Sequence, residues 1–273
     1  MDYLRAAILG IVQGLSEFLP ISSSGHLILV PALFNWPDQG LAFDVGLHCG
    51  TLLALLVYFW PDWWRMARSF FIDLPRKRAS VAAYSGDSQL LLLLALGSVP
   101  AAVVGFLFND WIEENLRQPW LVAIALGLVG LIMFAADRRS RLDREIAGVT
   151  VLDAVLIGAA QACALFPGVS RSGATMSMGL FRNFTRDSAA RFAFLLGTPA
   201  FVGAALLKAK DLESLSGKET NELLIGFLFS AVVGFLVIHF LLRFLRTRTL
   251  MPFVFYRLFV AGLTLVIGAF RVG

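Results

Sequence analysis

Two short polar segments in an otherwise apolar chain carry the residue types that could do chemistry. The first, QGLSEFLPISSSGH, runs from Gln13 to His26 and combines an acid, an amide, a run of three serines and a histidine around Pro20. The second, QACALFPGVSRSGAT, runs from Gln161 to Thr175 and has a similar layout with Arg171 in place of the acid and histidine. These side chains suit recognition of a phosphate group and acid–base or nucleophilic catalysis.

Each segment leads into the start of a helix, where free backbone N–H groups and the positive end of the helix dipole favour an anion. Glycines permit close backbone approach, and serine hydroxyls add hydrogen-bond donors. N-capping is the alternative reading of any one serine, and the residues alone leave both readings open. The candidate binding residues are Ser22, Ser23, Ser24, Gly25, Gly168, Ser170, Ser172 and Gly173.

The arginine of the second segment indicates function rather than capping. A charged side chain within a membrane costs about 2.5–3.5 kcal/mol on insertion scales. The guanidinium of Arg171 is planar, permanently charged and matched to phosphate oxygens. We therefore expect Arg171 to hold a phosphate group.

The first segment supplies what a catalytic site needs. Ser23 is a candidate nucleophile, and His26 follows three residues later, one helical turn away, as general base and then general acid. Glu17 is expected to hold a divalent cation or to orient His26, with Gln13 assisting one turn earlier. Mg²⁺ typically uses one or two carboxylates together with substrate phosphates, which this sparse set resembles. Whether the nucleophile is serine or an activated water stays open.

The composition predicts an integral membrane protein built from helices. Of the 273 residues, 58% are hydrophobic and only 15% are charged, and the mean hydropathy is +0.76. The apolar runs are continuous rather than alternating, which argues against a strand-built barrel. The net charge of +4 comes mostly from loops and indicates orientation, not a nucleic-acid partner. Cys49 and Cys163 lie in apolar runs and imply no disulfide framework.

The apolar pattern predicts ten helices in a single membrane domain, residues 1–273. Short helices over 2–19 and 151–166 are each broken at a proline and followed by a second short helix, to about 33 and about 181. A basic stretch over 61–87 is interpreted as a loop. Six spans are predicted, over residues 43–60, 88–108, 120–136, 188–207, 223–242 and 250–270.

The second half repeats the plan of the first. The repeats cover about 1–136 and about 151–273, and the pair Gly50-Thr51 recurs as Gly197-Thr198. We interpret this pattern as an internal duplication. Gly10, Gln13, Ser22, Ser24 and Gly25 recur at the same spacing as Gly158, Gln161, Ser170, Ser172 and Gly173.

The loop charges then predict an inverted arrangement of the two repeats. If each broken helix pair is a re-entrant hairpin, each repeat crosses the membrane three times, so the second repeat is inverted. Lys and Arg counts place loops 61–87, 137–150 and 243–249 inside, and 109–119 and 208–222 outside, with both termini outside. The predicted fold is therefore all-α, with two inverted repeats of one re-entrant hairpin and three spans each, whose hairpin tips meet.

Other polar residues within the spans receive less specific interpretations. His48 and His239 lie near span ends and are interpreted as satisfied or interfacial. Arg257 lies about two turns into the last span and either snorkels to the interface or supports the site. Asp44 and Asp153 lie at helix starts, where an acid suits the dipole.

At its two polar segments the chain closely resembles the undecaprenyl-pyrophosphate phosphatase family, known for bacitracin resistance. The motifs are QGLSEFLPISSSGH at 13–26 and PGVSRSGAT at 167–175, and the second is highly specific. Similarity continues through FDVGLHCGTLLALLVYFW at 43–60, ARFAFLLGTPA at 190–200 and PFVFYR at 252–257, so it covers essentially the whole chain.

The resemblance implies a bacterial inner-membrane enzyme that converts undecaprenyl diphosphate to the monophosphate carrier lipid, which is reused in cell-wall synthesis. It implies dependence on a divalent cation, Mg²⁺ or Ca²⁺, and a site that opens to the periplasmic side. Its catalytic set falls on Glu17, Ser23, His26 and Arg171, with Ser170, Ser172 and Thr175 around the diphosphate. The chain departs from the family pattern at two places: Gln13, where some members have glutamate, and His48, where glutamine is expected.

A second function stays open at this point. Inverted repeats with broken helices are also a common plan for transporters, so a transporter or flippase for a phosphorylated polyprenyl lipid is the alternative. A homodimer is left open as well.

Overall fold

The computed structural model describes residues 2–37, 39–76, 84–116, 118–207 and 217–272. Within these ranges the chain forms eleven α-helices and one short 3-10 helix, Ile146–Gly148, and no strand. The α-helices are α1 Tyr3–Phe18, α2 Ser23–Leu33, α3 Leu41–Tyr58, α4 Trp60–Arg76, α5 Gly86–Asn115, α6 Pro119–Arg139, α7 Val151–Cys163, α8 Arg171–Phe181, α9 Arg186–Leu207, α10 Gly217–Leu245 and α11 Met251–Val272.

The helices confirm the prediction of an all-α protein that crosses the membrane several times. Five of them, α5, α6, α9, α10 and α11, are long and apolar enough to span, and α3 with α4 makes a sixth candidate bent by 65°. Only 17% of the apolar window of α5 is buried inside the protein, so most of that surface is available to lipid.

The predicted loop over 61–87 is wrong in its first half, because residues up to Arg76 form helix α4. Pro61 is tolerated in the first helical turn, and Asp62 in the same turn accepts hydrogen bonds from Arg65 and Arg191 at 3.0 and 2.6 Å. Met66 is fully buried on the inner face. An amphipathic helix therefore replaces the loop, and the described helices number eleven rather than ten.

Two helices also extend further than predicted. Helix α5 continues through residues 109–115, and α10 begins at Gly217 rather than at 223. These stretches lengthen both helices beyond their apolar windows. Residues 77–83 and 208–216 of the predicted loops lie outside the described residues.

The two predicted helix breaks are present and are built alike. Helix α1 ends just before Pro20, and α7 ends shortly before Pro167. The residue before each following helix, Ser22 or Ser170, has a positive φ of 77° or 70°, and its hydroxyl caps the helix. A left-handed serine turns the chain sharply and directs the first turn of the new helix back into the protein.

Close helix packing through glycine places the broken helices in the bundle. Helix α1 packs on α10, where Gly10 lies against the carbonyl of Gly226 so closely that a Cβ would overlap it. Helix α7 packs on α5 in the same way, with Gly158 against the carbonyl of Gly97. Small residues at such contacts let backbones approach in a membrane protein. The division into inverted repeats stays a prediction.

An ion-pair cluster anchors the second broken helix at its start. Asp153, fully buried, accepts hydrogen bonds from Arg144, Arg182 and Thr150 at 2.6–2.7 Å. The bond to Asp153 raises the pKa of Arg144, in the loop before α7, above its ordinary value, so the pair keeps its charge. The anchor is stronger than the simple dipole role expected of Asp153.

A candidate phosphate site at the two helix breaks

The two polar segments meet in the interior of the bundle. The Ser172 hydroxyl lies 3.3 and 3.2 Å from the carbonyl oxygens of Glu17 and Leu19, at the end of α1. Nearby, Arg171 Nη2 donates to Glu17 Oε1 at 3.2 Å. The first turn of α8 is therefore held directly against the last turn of α1, although the residues are more than 150 positions apart in the chain.

A cavity of about 350 Å³ lies at this junction. Such a volume is in the range of small-molecule sites. Polar side chains cluster at one end, beside the helix breaks, and the rest of the lining is mainly apolar. The polar end is lined by Glu17, Ser22, Ser23, Ser24, Ser170 and Arg171, and the apolar part includes Leu27, Ile28, Ile112, Leu165 and Phe201.

Arg171 presents hydrogen-bond donors that the described part of the chain does not satisfy. Its Nε and Nη1 are buried without a hydrogen-bond partner there, and only Nη2 is engaged, by Glu17. The guanidinium carbon lies 3.8 Å from the centre of the Phe201 ring, so one planar face is packed. Gly197 makes room for this group, because a Cβ there would overlap Nη1. Buried donors without partners are costly, and an anion bound in the cavity would supply them.

The carboxylate of Glu17 divides its two oxygens between the segments. Oε1 accepts from Arg171, whereas Oε2 accepts from the Ser23 hydroxyl at 2.6 Å and from the Gln13 amide at 3.0 Å. The side chain is only 5% exposed, and paired charge is what makes such burial tolerable. Glu17 thereby fixes Ser23, the first residue of α2, with its hydroxyl at the cavity wall.

The remaining serines form equivalent pairs at the two helix starts. Ser22 Oγ lies 3.4 Å from Ser24 Oγ, and Ser170 Oγ lies 3.2 Å from Ser172 Oγ. The hydroxyls of Ser22 and Ser170 also accept the backbone N–H three residues on, at 3.4 and 3.1 Å. Ser22, Ser24 and Ser170 line the cavity, so capping and facing the cavity are compatible for these residues.

The structure places His26 away from this cavity. Its Nδ1 lies 2.7 Å from the carbonyl oxygen of Ser22, and its Nε2 lies 2.6 Å from the Tyr256 hydroxyl, with the two rings stacked. A carbonyl only accepts, so Nδ1 carries a proton and the phenol engages the other nitrogen. His26 and Tyr256 line a separate cavity of about 590 Å³ between α2, α6 and α11.

Five of the predicted binding residues shape the backbone behind the cavity instead of lining it. Thr175 donates to the carbonyl of Arg171 at 2.6 Å, one turn earlier in α8. Gly168 has a φ of 92° and packs against the backbone of Val122, where a side chain has no space. The five are Gly25, Gly168, Ser172, Gly173 and Thr175.

Arg257, whose role the sequence left open, holds both breaks in place. It is fully buried and donates to Pro20 O at 3.1 Å in the first break and to Gly168 O at 2.9 Å and Val169 O at 3.1 Å in the second. It also donates to Leu126 O at 3.1 Å on α6. The breaks leave carbonyls without helical partners, and one planar five-donor group satisfies them. A charged residue inside an apolar span was the sequence signal for this role.

His48 was missed as a site residue. It lies on α3 and lines the cavity at the helix breaks, with Nε2 3.6 Å from Glu17 Oε2 and Nδ1 2.8 Å from the carbonyl oxygen of Asp44. The sequence interpretation as interfacial considered how close His48 lies to the span end and not the direction of its side chain. Asp44, buried, lines the same cavity.

The residues present fit a cation that is held partly by its substrate. Within the described ranges, no group of three or more His, Cys, Asp or Glu side chains is placed to hold a metal. Glu17 offers one carboxylate oxygen, and the buried Gln13 Oε1 has no hydrogen-bond partner in the described structure. One carboxylate and one amide oxygen suit Mg²⁺ or Ca²⁺ when phosphate oxygens complete the shell.

The fold and the site define an all-α integral membrane protein with a buried polar cavity between two helix breaks. Residues 6–263 match the family model described as bacitracin resistance protein BacA, and the chain belongs to this family. Proteins named undecaprenyl-diphosphatase are similar to it over nearly their whole length. That of Moorella thermoacetica is 46% identical over 98% of both chains, and that of Nocardioides sp. is 42% identical over 98% of this chain and 97% of its own.

Proposed function

We propose that the protein removes the terminal phosphate of undecaprenyl diphosphate, giving undecaprenyl phosphate and inorganic phosphate. The observation that carries the proposal is the cavity in which Ser23, held by Glu17, faces the unpaired donors of Arg171. The relatives named undecaprenyl-diphosphatase, at 42–46% identity, support the same activity. They give no comparable support to a transporter.

The polar end of the cavity would bind the pyrophosphoryl group. Arg171 supplies charge-assisted hydrogen bonds, and the N-termini of α2 and α8 supply backbone N–H groups and positive dipole ends. The apolar walls, including Ile28 and Phe201, would take the first prenyl units. Specificity for a lipid diphosphate then follows from a charged end and an oily path in one cavity.

The chemistry that this geometry favours begins at Ser23. Its oxygen forms a bond to the terminal phosphorus, and the bond from that phosphorus to the bridging oxygen breaks, so undecaprenyl phosphate leaves. Glu17, 2.6 Å from the hydroxyl, is placed to accept the serine proton. Water then hydrolyses the phosphoserine, which releases phosphate and returns the proton to Ser23. Arg171 stabilises the charge on the transferred group throughout.

The general-base role predicted for His26 requires a different side-chain position. Its Nε2 is bonded to Tyr256 in the described conformation, so the ring would have to turn towards Ser23 before it could exchange a proton there. Glu17 needs no such movement. We therefore assign the first proton transfer to Glu17 and retain His26 as a candidate for the proton of the attacking water.

The cation would be held by Glu17 and Gln13. When bound, a divalent cation offsets the negative charge of the phosphates and polarises the terminal one. The proposal also places the protein in the bacterial inner membrane, with both termini outside and the site open to the periplasm. There it would return the carrier lipid to cell-wall synthesis.

A phosphate-release assay tests the proposal. Purified protein with Mg²⁺ should release phosphate from undecaprenyl diphosphate, and Ser23→Ala and Arg171→Ala should each reduce the rate by at least about 10³-fold. The matched control Ser98→Ala, whose hydroxyl donates to the Leu94 carbonyl outside the cavity, should stay within threefold of wild type. Full activity in both Ser23→Ala and Arg171→Ala would reject the assigned roles. A trapped phosphoserine at residue 23 would identify serine, rather than water, as the nucleophile.

A further inference from the structure

A histidine that the proposed reaction does not use lies on the wall of the phosphate cavity. The Nδ1 of His48 is 2.8 Å from the carbonyl oxygen of Asp44, which fixes the proton on that nitrogen. In the neutral ring the lone pair is therefore on Nε2, 3.6 Å from Glu17 Oε2 and too far for a hydrogen bond. A neutral imidazole whose one N–H is held by a backbone carbonyl is the form in which histidine binds a metal through its other nitrogen.

Three polar groups converge on the same oxygen of Glu17. Around Oε2 lie Ser23 Oγ at 2.6 Å, the Gln13 amide at 3.0 Å and His48 Nε2 at 3.6 Å, while Arg171 takes the other oxygen. Neighbouring ligands of a small octahedral cation, at about 2.1 Å from the ion, lie roughly 3 Å apart. The spacing around Oε2 is close to that of groups sharing one ion.

The amide of Gln13 fits the same arrangement. Its assigned orientation turns Nε2 to Glu17 and leaves Oε1 buried without a hydrogen-bond partner in the described structure. Amide oxygen and nitrogen exchange places by a half-turn, and the choice between them depends on the partners present. A cation beside Glu17 would favour the orientation that presents the oxygen.

Neither of the other two histidines is available in this way. Both ring nitrogens of His26 are engaged, by Ser22 and by Tyr256. His239 is exposed on α10, where its Nδ1 lies 3.4 Å from the Tyr58 hydroxyl. His48 is thus the histidine whose free nitrogen faces the cavity.

We propose that His48 ligates the divalent cation together with Glu17 and Gln13, and that it shifts the preferred metal from Mg²⁺ or Ca²⁺ towards Mn²⁺, Co²⁺ or Zn²⁺. Oxygen ligands suit the first two ions, whereas an imidazole ligand favours transition metals. Substrate oxygens and water fill the other positions. This inference rests on the proposed function, because it assigns a ligand and a metal class to the same site.

Pulsed electron paramagnetic resonance of bound Mn²⁺ tests the ligand directly. Tag-free protein in detergent, loaded with Mn²⁺, should show modulation from a directly bound ¹⁴N nucleus. His48→Gln should lose it, and the control His239→Gln should keep it. The Mn²⁺ affinity should fall at least tenfold in His48→Gln, while the Mg²⁺ affinity changes less than threefold. Absence of ¹⁴N modulation in wild type, or its persistence in His48→Gln, would overturn the proposal.

Two further measurements keep the test decisive. If His48→Gln does not fold, wild-type protein labelled with ¹⁵N-histidine should replace the ¹⁴N modulation by that of ¹⁵N, and an unchanged spectrum would reject histidine ligation. Phosphate release with Mg²⁺, measured on the same preparations, distinguishes failure of the His48 assignment from failure of the proposed phosphatase function. Release without histidine modulation overturns the His48 assignment alone, whereas histidine modulation without release under any metal supports the ligand and rejects the phosphatase.

Discussion

The two helix breaks share one backbone design and differ in the chemistry of equivalent positions. Both have a left-handed capping serine, and the first helical residue that follows is Ser23 in one and Arg171 in the other. Gln13 bonds to Glu17, whereas the amide of Gln161 is buried with neither polar atom satisfied in the described structure. Two breaks with the same backbone design can therefore differ in chemistry: the equivalent position carries a hydroxyl in one and a fixed positive charge in the other.

The two breaks should differ most in how substitution of a buried polar side chain, Glu17 in the first and Gln161 in the second, affects activity. Glu17→Gln should lower kcat/KM by about 10²–10⁴-fold, because an amide neither takes the Ser23 proton nor balances Arg171. Gln161→Met, at the corresponding amide of the second break, should keep activity within threefold and stabilise the fold, since it removes unsatisfied buried atoms. Phosphate release and thermal unfolding of both variants provide the comparison. Equal losses of activity would contradict the division of roles.

The next-largest effect should come from weakening the link that Arg257 makes between the breaks. Arg257→Lys keeps a charge but loses the planar fork that reaches the carbonyls of both breaks, and we expect a loss of about 3 kcal/mol. For a chain of this size that corresponds to a fall of about 6–12 °C in the midpoint of thermal unfolding. Arg243→Lys, on exposed α10 surface, is the control. An unchanged midpoint in Arg257→Lys would show that the breaks hold without it.

Substitution of the repeated glycines, Gly197 and Gly50, should distinguish an effect on the site from an effect on helix packing. Gly197→Ala places a methyl group in the space of the Arg171 guanidinium, and displacement of that group should lower kcat/KM by about 100-fold with little effect on the unfolding midpoint. Gly50→Ala instead places a methyl 2.5 Å from the carbonyl oxygen of Phe227 on α10 and should mainly destabilise the packing. Kinetics and thermal unfolding of both variants provide the test. An effect of Gly50→Ala mainly on catalysis and of Gly197→Ala mainly on stability would contradict it.

The smallest effect should be equal in the two breaks. Ser22→Ala and Ser170→Ala each remove a helix cap at a residue with positive φ and should reduce the free energy of unfolding by about 1 kcal/mol. Ser22→Gly and Ser170→Gly lose the cap but relieve the left-handed conformation, so they should lie within about 0.5 kcal/mol of wild type. Denaturation in detergent measures all four. Clearly unequal losses of unfolding free energy at Ser22 and Ser170 would mean that the two turns are less alike than their backbone angles suggest.

Most of the fold could be predicted because its signals are local. Long apolar runs locate the spans, and Pro20 and Pro167 locate the breaks. Helix α4 was missed because its arginines were counted as loop charge, although Trp63, Met66 and Phe70 recur at helical spacing. Its inner face packs mainly against α5, with Met66 in the hydrophobic core, and composition does not report such packing.

The site residues divide in the same way, into those that local signals reveal and those that depend on tertiary packing. Glu17, Ser23 and Arg171 stand out because polar residues at a helix break need an explanation. The direction of His26 could not be predicted, because its partner Tyr256 lies 230 residues away. The same holds for His48, whose approach to Glu17 depends on how α3 packs beside α1. Sequence spacing gives the face of a helix, and tertiary contacts then decide what each side chain meets.

The guanidinium of Arg257 has a mechanical consequence. Because a single planar group joins both breaks to α6, displacing either break would cost hydrogen bonds of the group that also holds the other.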